Sequence, residues 1–200
     1  MKTIFKNSRD ELTFRKSDHA YFLNSVSIPS VTQILTGSGL SDYSKVPEDI
    51  LERAAKLGKA VHDTTHFHTK GTLDTSSLDP VLNLYLEQWM RFLKMHVDLS
   101  APRCSEIPVY CKKSWYAGTA DFWGIVNGEP AVVEIKTTKK QMEAHKPQVA
   151  AYRNAYAPAK KCYLIYLSET NFDLVPVNHV NAFKDFRLAT EFLSMRKKYT

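Results

Sequence analysis

Three side chains in the stretch GTADFWGIVNGEPAVVEIKTT, residues 118 to 138, are of types that do chemistry: Asp121, Glu134 and Lys136. Asn-Gly between two β-rich runs signals a two-residue type I′ turn. With Asn127 and Gly128 as the loop, Val126 faces Glu129, and counting outward sets Asp121 directly across from Glu134. Their Cβ atoms would lie about 4.5–5.5 Å apart. Like charges so placed repel, so the pair calls for a cation between them. Lys136 is two residues past Glu134 and shares its face of the strand, while Ile135 points into the opposite layer. A bulge at Pro130 would shift the pairing by one. Two carboxylates and an ammonium on one face suit Mg²⁺, which takes only one or two protein carboxylates and keeps several waters. The ammonium would orient a water or offset charge on a phosphate. The plain alternative is a solvated hairpin with a cross-strand Glu–Lys pair. Against it, AVVEIKT is apolar on both sides of the acid.

Two further patterns place polar groups on one helix face. In KLGKAVHDTTHFH, Gly58 and His62 are four apart, beside Ala54 and Ala55, so Gly58 would permit close approach of another backbone with His62 next to it. His66 and His68 read as surface residues. In QVAAY, Gln148 and Tyr152 share a face in the same way.

Taken together, GTAD, the EIK that follows and then QVAAY resemble the PD-(D/E)XK nuclease superfamily, in its RecB-like and phage-exonuclease branch. The similarity covers about residues 47 to 170, and SIPSVTQIL near the N-terminus is similar to mitochondrial-type and phage members. Thr119-Ala120 stands where many members have proline before the aspartate. The resemblance implies catalytic roles for Asp121, Glu134 and Lys136, with Gln148 and Tyr152 as the QxxxY motif. It implies Mg²⁺, or Mn²⁺, held by Asp121, Glu134, the Ile135 carbonyl and His62, the last on a GxxVH helix like that of RecB-like nucleases. Glu106, on an earlier strand, would lie behind the metal or on the substrate side. Lys56 and Lys59 beside His62, and Lys139, Lys140 and Lys146 beside the QxxxY helix, would track a DNA backbone. Iron–sulfur members need four cysteine ligands. With only Cys104, Cys111 and Cys162, a self-contained cluster is not expected.

These groups need a scaffold to position them. Residues 12–28 read as a hairpin turning near Ser17 to His19, and a Gly/Ser-rich break follows PSVTQIL. Pro47, Glu48 and Asp49 open a helix running to about Lys70, as acids favour a first turn. Asp79 as N-cap and Pro80 at the first position begin another. Its Leu82, Tyr85, Leu86, Trp89 and Leu93 form a core-facing stripe. Three strand-like runs follow, EIPVYCK, WYAGTADFWGIV and AVVEIKT. Then come a helix on AHKPQVAAYRNAY, strands on KCYLIYL and FDLVPV, and an amphipathic helix on AFKDFRLATEFLSMRKK. Trp115, Tyr116, Phe122 and Trp123 read as core.

Two hundred residues can bury a sizeable core. The net charge of +6 suits a polyanionic partner without demanding one. Three scattered cysteines fit neither a disulfide framework nor a zinc site. No signal-like segment or membrane-length apolar run is present, so a soluble, cytoplasmic protein of a bacterium or phage-infected cell is expected.

The expectation is an α/β fold, a central mixed β-sheet flanked by helices with a restriction-endonuclease-like core. It would form one domain over 1–200, with an N-terminal hairpin and connection over 1–46 and the nuclease core over 47–200. The resemblance implies metal-dependent hydrolysis of DNA phosphodiesters, and its branch fits exonuclease action better than site-specific cleavage, since no separate recognition domain fits in 200 residues. A structure-specific endonuclease and a non-catalytic nucleic-acid-binding protein remain the alternatives.

Overall fold

The Asn127–Gly128 turn forms as the sequence requires. Both residues adopt positive φ, 49° and 80°, as a type I′ turn demands. The computed structural model describes residues 1–42, 46–138 and 141–199, the last three through their backbone alone. Lys139 and Lys140 lie outside the described residues.

An N-terminal antiparallel sheet is built from β1 (Lys2–Lys6), β2 (Glu11–Arg15), β3 (Ala20–Leu23) and β4 (Val26–Ile28), in that spatial order. The expected hairpin is its β2–β3 pair. The sheet is wider than expected because the Asn7 side chain accepts from the backbone of Arg9 and Asp10, at 2.8 Å each. That Asx-type turn folds the short, polar β1 back onto β2.

Helix α1 (Val31–Gly37) starts at a reciprocal cap, with Ser30 Oγ accepting from Gln33 N and the Gln33 amide accepting from Ser30 N. Helix α2 (Glu48–Lys70) carries Glu48 and Asp49 in its first turn and ends at Gly71 with φ 69°. In α3 (Pro80–His96), Asp79 Oδ1 caps the Val81 N–H at 2.8 Å. The second sheet runs β5 (Cys104–Cys111), β6 (Tyr116–Val126), β7 (Glu129–Lys136), β8 (Lys161–Leu167) and β9 (Phe172–Pro176). Only the β7–β8 pair is parallel, and α4 (His145–Ala155) makes that crossover. Helix α5 (His179–Tyr199) closes the described chain. The fold is mixed α/β: a five-stranded mixed sheet, five helices among the described residues, and the N-terminal sheet.

The two faces of the sheet divide the core, with the alternation along β6 slipping at Asp121 between Ala120 and Phe122. One side packs Val132, Ala120, Leu164 and Tyr116 against α1, α4 and α5. The other packs Phe122, Val133, Ile135 and Ile165 against Val61 of α2 and Trp89 and Phe92 of α3. Tyr116 and Phe122 are buried as expected, whereas Trp115 is exposed, its indole donating only to the Ser27 carbonyl. The N-terminal sheet packs Leu12, Tyr21, Leu23 and Ile28 over Ala117 of β6. Asp10 ties it to β5, taking hydrogen bonds from Tyr110 and Asn24 and an ion pair from Lys112. No described helix is long and apolar enough to cross a membrane.

Candidate metal and phosphate site

The β6–β7 register follows the turn from Val126–Glu129 to Phe122–Val133, with no shift at Pro130. There the ladder opens. In an unbroken ladder the next hydrogen-bonded pair would join Ala120 and Ile135. Instead Asp121 Oδ2 accepts from the Ile135 N–H at 2.7 Å, so a carboxylate sits where a backbone carbonyl would have been. The Ile135 side chain points into the opposite layer, as expected.

Each of the two acids has its own basic side chain beside it. His62 Nδ1 lies 3.1 Å from Asp121 Oδ1. Lys136 Nζ lies 3.0 Å from Glu134 Oε1 and donates to Gln148 Oε1 at 2.8 Å. Gln148 Nε2 in turn donates to the Tyr152 hydroxyl at 3.3 Å. Asp121 is 9% exposed and Glu134 3%, and Glu134 Oε2 is buried with no hydrogen-bond partner among the described residues.

Glu106 has a more direct place than the sequence reading gave it. It lies opposite Asp121 across the β5–β6 ladder, between the pairs Ser105–Phe122 and Ile107–Ala120. One donor atom from each of His62, Glu106 and Asp121 lies within 4.8 Å of the others. Glu106, Asp121 and Glu134 thus form a row of carboxylates on three adjacent strands. A signal for this was available: taking Lys112 to Trp115 as the β5–β6 loop makes Cys111 face Tyr116, and counting on makes Glu106 face Asp121.

Electrostatics follow from burial and this crowding. Burial, then the charge of Asp121, raises Glu106 to about 7. Burial and Asp121 also raise Glu134, against the pull of Lys136 and His62. Burial would lift Asp121 too, but the charge and hydrogen bond of His62, with Lys136 and the Ile135 N–H, hold it below the ordinary carboxylate range. Burial would depress His62; the charge and hydrogen bond of Asp121, then Glu134, overcome it and raise His62 to about 9. His145, buried beside Lys136 and hydrogen-bonded to the Tyr166 hydroxyl at 3.0 Å, is lowered to about 4, first by burial and then by Lys136. It is therefore neutral near pH 7.

Other expected residues fall differently. Lys56 and Lys59 pair with Glu52 and Asp63 within α2, and Lys146 pairs with Glu143 just before α4. His66 and His68 are half-buried rather than on the surface, because α2 lies against β5 there; His66 Nδ1 is 2.8 Å from Ser105 Oγ. Gly58 does not admit another backbone. A Cβ there would meet only Thr137 Oγ1, at an ordinary 3.5 Å. The close approach is at Gly118, where a Cβ would lie 2.7 Å from the Tyr152 ring.

No family model matches the chain, and no curated protein matches it. Solved structures do, among them one described as "Crystal structure of SSO0001", with 21% identity, a TM-score of 0.34, and coverage of 56% of this chain and 58% of that one. The alignment therefore spans little more than half of each chain.

Proposed function

We propose that the protein is a metal-dependent nuclease that hydrolyses DNA phosphodiester bonds, acting from strand ends, on a core of restriction-endonuclease type. The observation that carries this reading is the row of the buried Asp121 and Glu134 with the more exposed Glu106, flanked by His62 and Lys136. Nucleic-acid binding alone gives no reason to bury two acids side by side and set a third beside them.

The residues fit a divalent cation. Oxygen donors and one imidazole suit Mg²⁺ or Mn²⁺. Glu134 Oε2 is an unpartnered buried acceptor, which burial normally forbids. Three carboxylates, one ammonium and one divalent cation sum to zero charge with His62 neutral. His62, Glu106, Asp121 and Glu134, with the Ile135 carbonyl, are the groups that would hold it. When bound, the cation supplies Lewis acidity, polarising a phosphoryl oxygen and acidifying water. The rest falls to the chain. Lys136, fixed by Glu134 and Gln148, places an ammonium where charge grows on the phosphate. Tyr152 fixes Gln148 in turn. Burial excludes bulk water from the carboxylates and strengthens each of these interactions.

End-labelled single- and double-stranded DNA, incubated with Mg²⁺, Mn²⁺ or EDTA, tests the reading. Shortening from one end that EDTA abolishes is the expected result. Internal cuts would make it an endonuclease. No cleavage with either metal, alongside retained binding, would make it a binding protein.

A further inference from the structure

The carboxylate row opens into a cavity of about 500 Å³ whose walls include His62, Asp121, Glu106, Tyr21 and Phe14. A second cavity, of about 750 Å³, adjoins it between the N-terminal sheet and α2, lined by Lys2, Lys16, Lys70 and His66. Phe14, Glu106 and Thr119 line both, so the two form one continuous groove.

Charge and ring placement define what fits there. Lys2, Lys16 and Lys70 make no ion pair among the described residues, whereas Lys56, Lys59, Lys112 and Lys146 are each paired with a carboxylate. These three ammonium groups converge on the second cavity; Lys94, Lys113, Lys160, Lys161 and Lys184, which likewise make no ion pair among the described residues, line neither cavity. At its junction with the first, Phe14 is half-buried, its ring centroid 4.9 Å from those of both His19 and Tyr21. A ring braced on two others presents a fixed face. Each cavity has the volume of a small-molecule site, about 300–1,000 Å³. Asp121 at the bottom is 9% exposed, with Glu106 at the rim and Glu134 buried behind it. A phosphodiester reaches them only as part of a strand already out of its duplex.

We propose that a single nucleic-acid strand occupies this groove, its phosphates held by Lys2, Lys16 and Lys70 and one base stacked on Phe14 as the strand descends to the carboxylates. This deepens the hydrolase reading and rests on it. Combining a basic track with an aromatic platform is how single strands are held without sequence preference.

Anisotropy of a fluorescein-labelled oligothymidylate in metal-free buffer tests the groove independently of cleavage. Substituting Lys2→Gln, Lys16→Gln and Lys70→Gln together should weaken binding roughly tenfold or more and reduce the salt slope by about 2, at about 0.7 per phosphate on single strands. Phe14→Leu, which preserves an apolar packing group, should weaken binding roughly fivefold or more and leave the salt slope unchanged. Lys160→Gln with Lys161→Gln, at the opposite end of β8, should bind like the parent. The groove is wrong if the triple variant binds like the parent. It is also wrong if the parent binds no single strand, or binds duplex equally well with the same lysine dependence. Failure of the hydrolase reading is separate: it is the absence of Mg²⁺- or Mn²⁺-dependent cleavage by the parent, whatever the binding curves show.

Discussion

Glu106 faces Asp121 across the β5–β6 ladder with a left-handed backbone, φ 52°, although the register is regular on either side. A non-glycine residue in that conformation costs about 1–2 kcal/mol. Here it accompanies a carboxylate turned toward His62 and Asp121. Strain of this kind persists only where the surroundings over-determine it.

Glu106→Gly should therefore relieve both strain and repulsion, raising metal-free stability by about 1 kcal/mol relative to Glu106→Gln. Both variants should bind Mn²⁺ roughly tenfold or more weakly, at least the scale of losing a supporting group around a metal. Denaturant melts and titration calorimetry measure the two effects. Equal stability for the two variants would remove the strain argument, and unchanged Mn²⁺ affinity would remove Glu106 from the site.

Gly118 and Gly58 should respond oppositely to alanine. At Gly118 the new methyl would meet the Tyr152 ring at 2.7 Å and disturb the chain from Tyr152 through Gln148 to Lys136. Overpacking of this kind costs about 1–3 kcal/mol, and turnover should fall with it. At Gly58, inside α2, only Thr137 Oγ1 is near, so alanine should gain about 0.5–1 kcal/mol of helix stability. Thermal melts and a cleavage assay on both variants decide the matter. Loss of turnover at Gly58→Ala alone would reverse the assignment.

The contrast shows which parts of the fold were readable from sequence. Asn127-Gly128 determined one register, and with it the row position of Asp121 and Glu134, because a two-residue turn leaves no freedom. Asp79-Pro80 and Ser30 marked helix starts through their own hydrogen bonds. The GxxVH resemblance singled out His62, since helical spacing sets His66 on the same face four residues on; the burial of His66 and His68 depends on how α2 lies on β5. The place of Glu106 beside Asp121 follows from the β5–β6 register across Lys112 to Trp115, a loop without the Asn-Gly signature that fixes the next one. The groove lysines carried no local signal. Lys2 and Lys16 approach Lys70 only because Asn7 folds β1 back and the sheet docks on β6.

That docking should be acid-sensitive. The Lys112 hydrogen bond first, then those from Tyr110 and Asn24, hold the Asp10 carboxyl below its ordinary value in spite of burial. A folded-state pKa below the unfolded one contributes stability above the unfolded value, about 3.9, that is lost as pH falls through the folded value. Asp10→Asn should lower stability at pH 7 while flattening its fall below pH 4. Urea melts across that range check this. An acid limb as steep as the parent's would mean other carboxylates control it.

Glu134→Gln separates metal-dependent hydrolysis from binding. In the folded protein Glu134 is raised by burial and by Asp121, so its charge is unwelcome without a cation. Glutamine keeps the shape and leaves an acceptor for Lys136. Metal-free stability should therefore hold or rise. Cleavage should stop, because one member of the donor row is gone, while single-strand binding should survive and still weaken with salt. Lys136→Ala should stop cleavage too, but it leaves Glu134 without the Lys136 hydrogen bond and should destabilise the metal-free protein. The independent readout is the Mg²⁺-induced rise in melting temperature. A ligand that binds only the folded state stabilises it by an amount set by its concentration over Kd. That rise should be clear in the parent and smaller in Glu134→Gln. Equal Mg²⁺ responses would show that Glu134 takes no part in holding a cation, and the hairpin would then be a structural salt-bridge network.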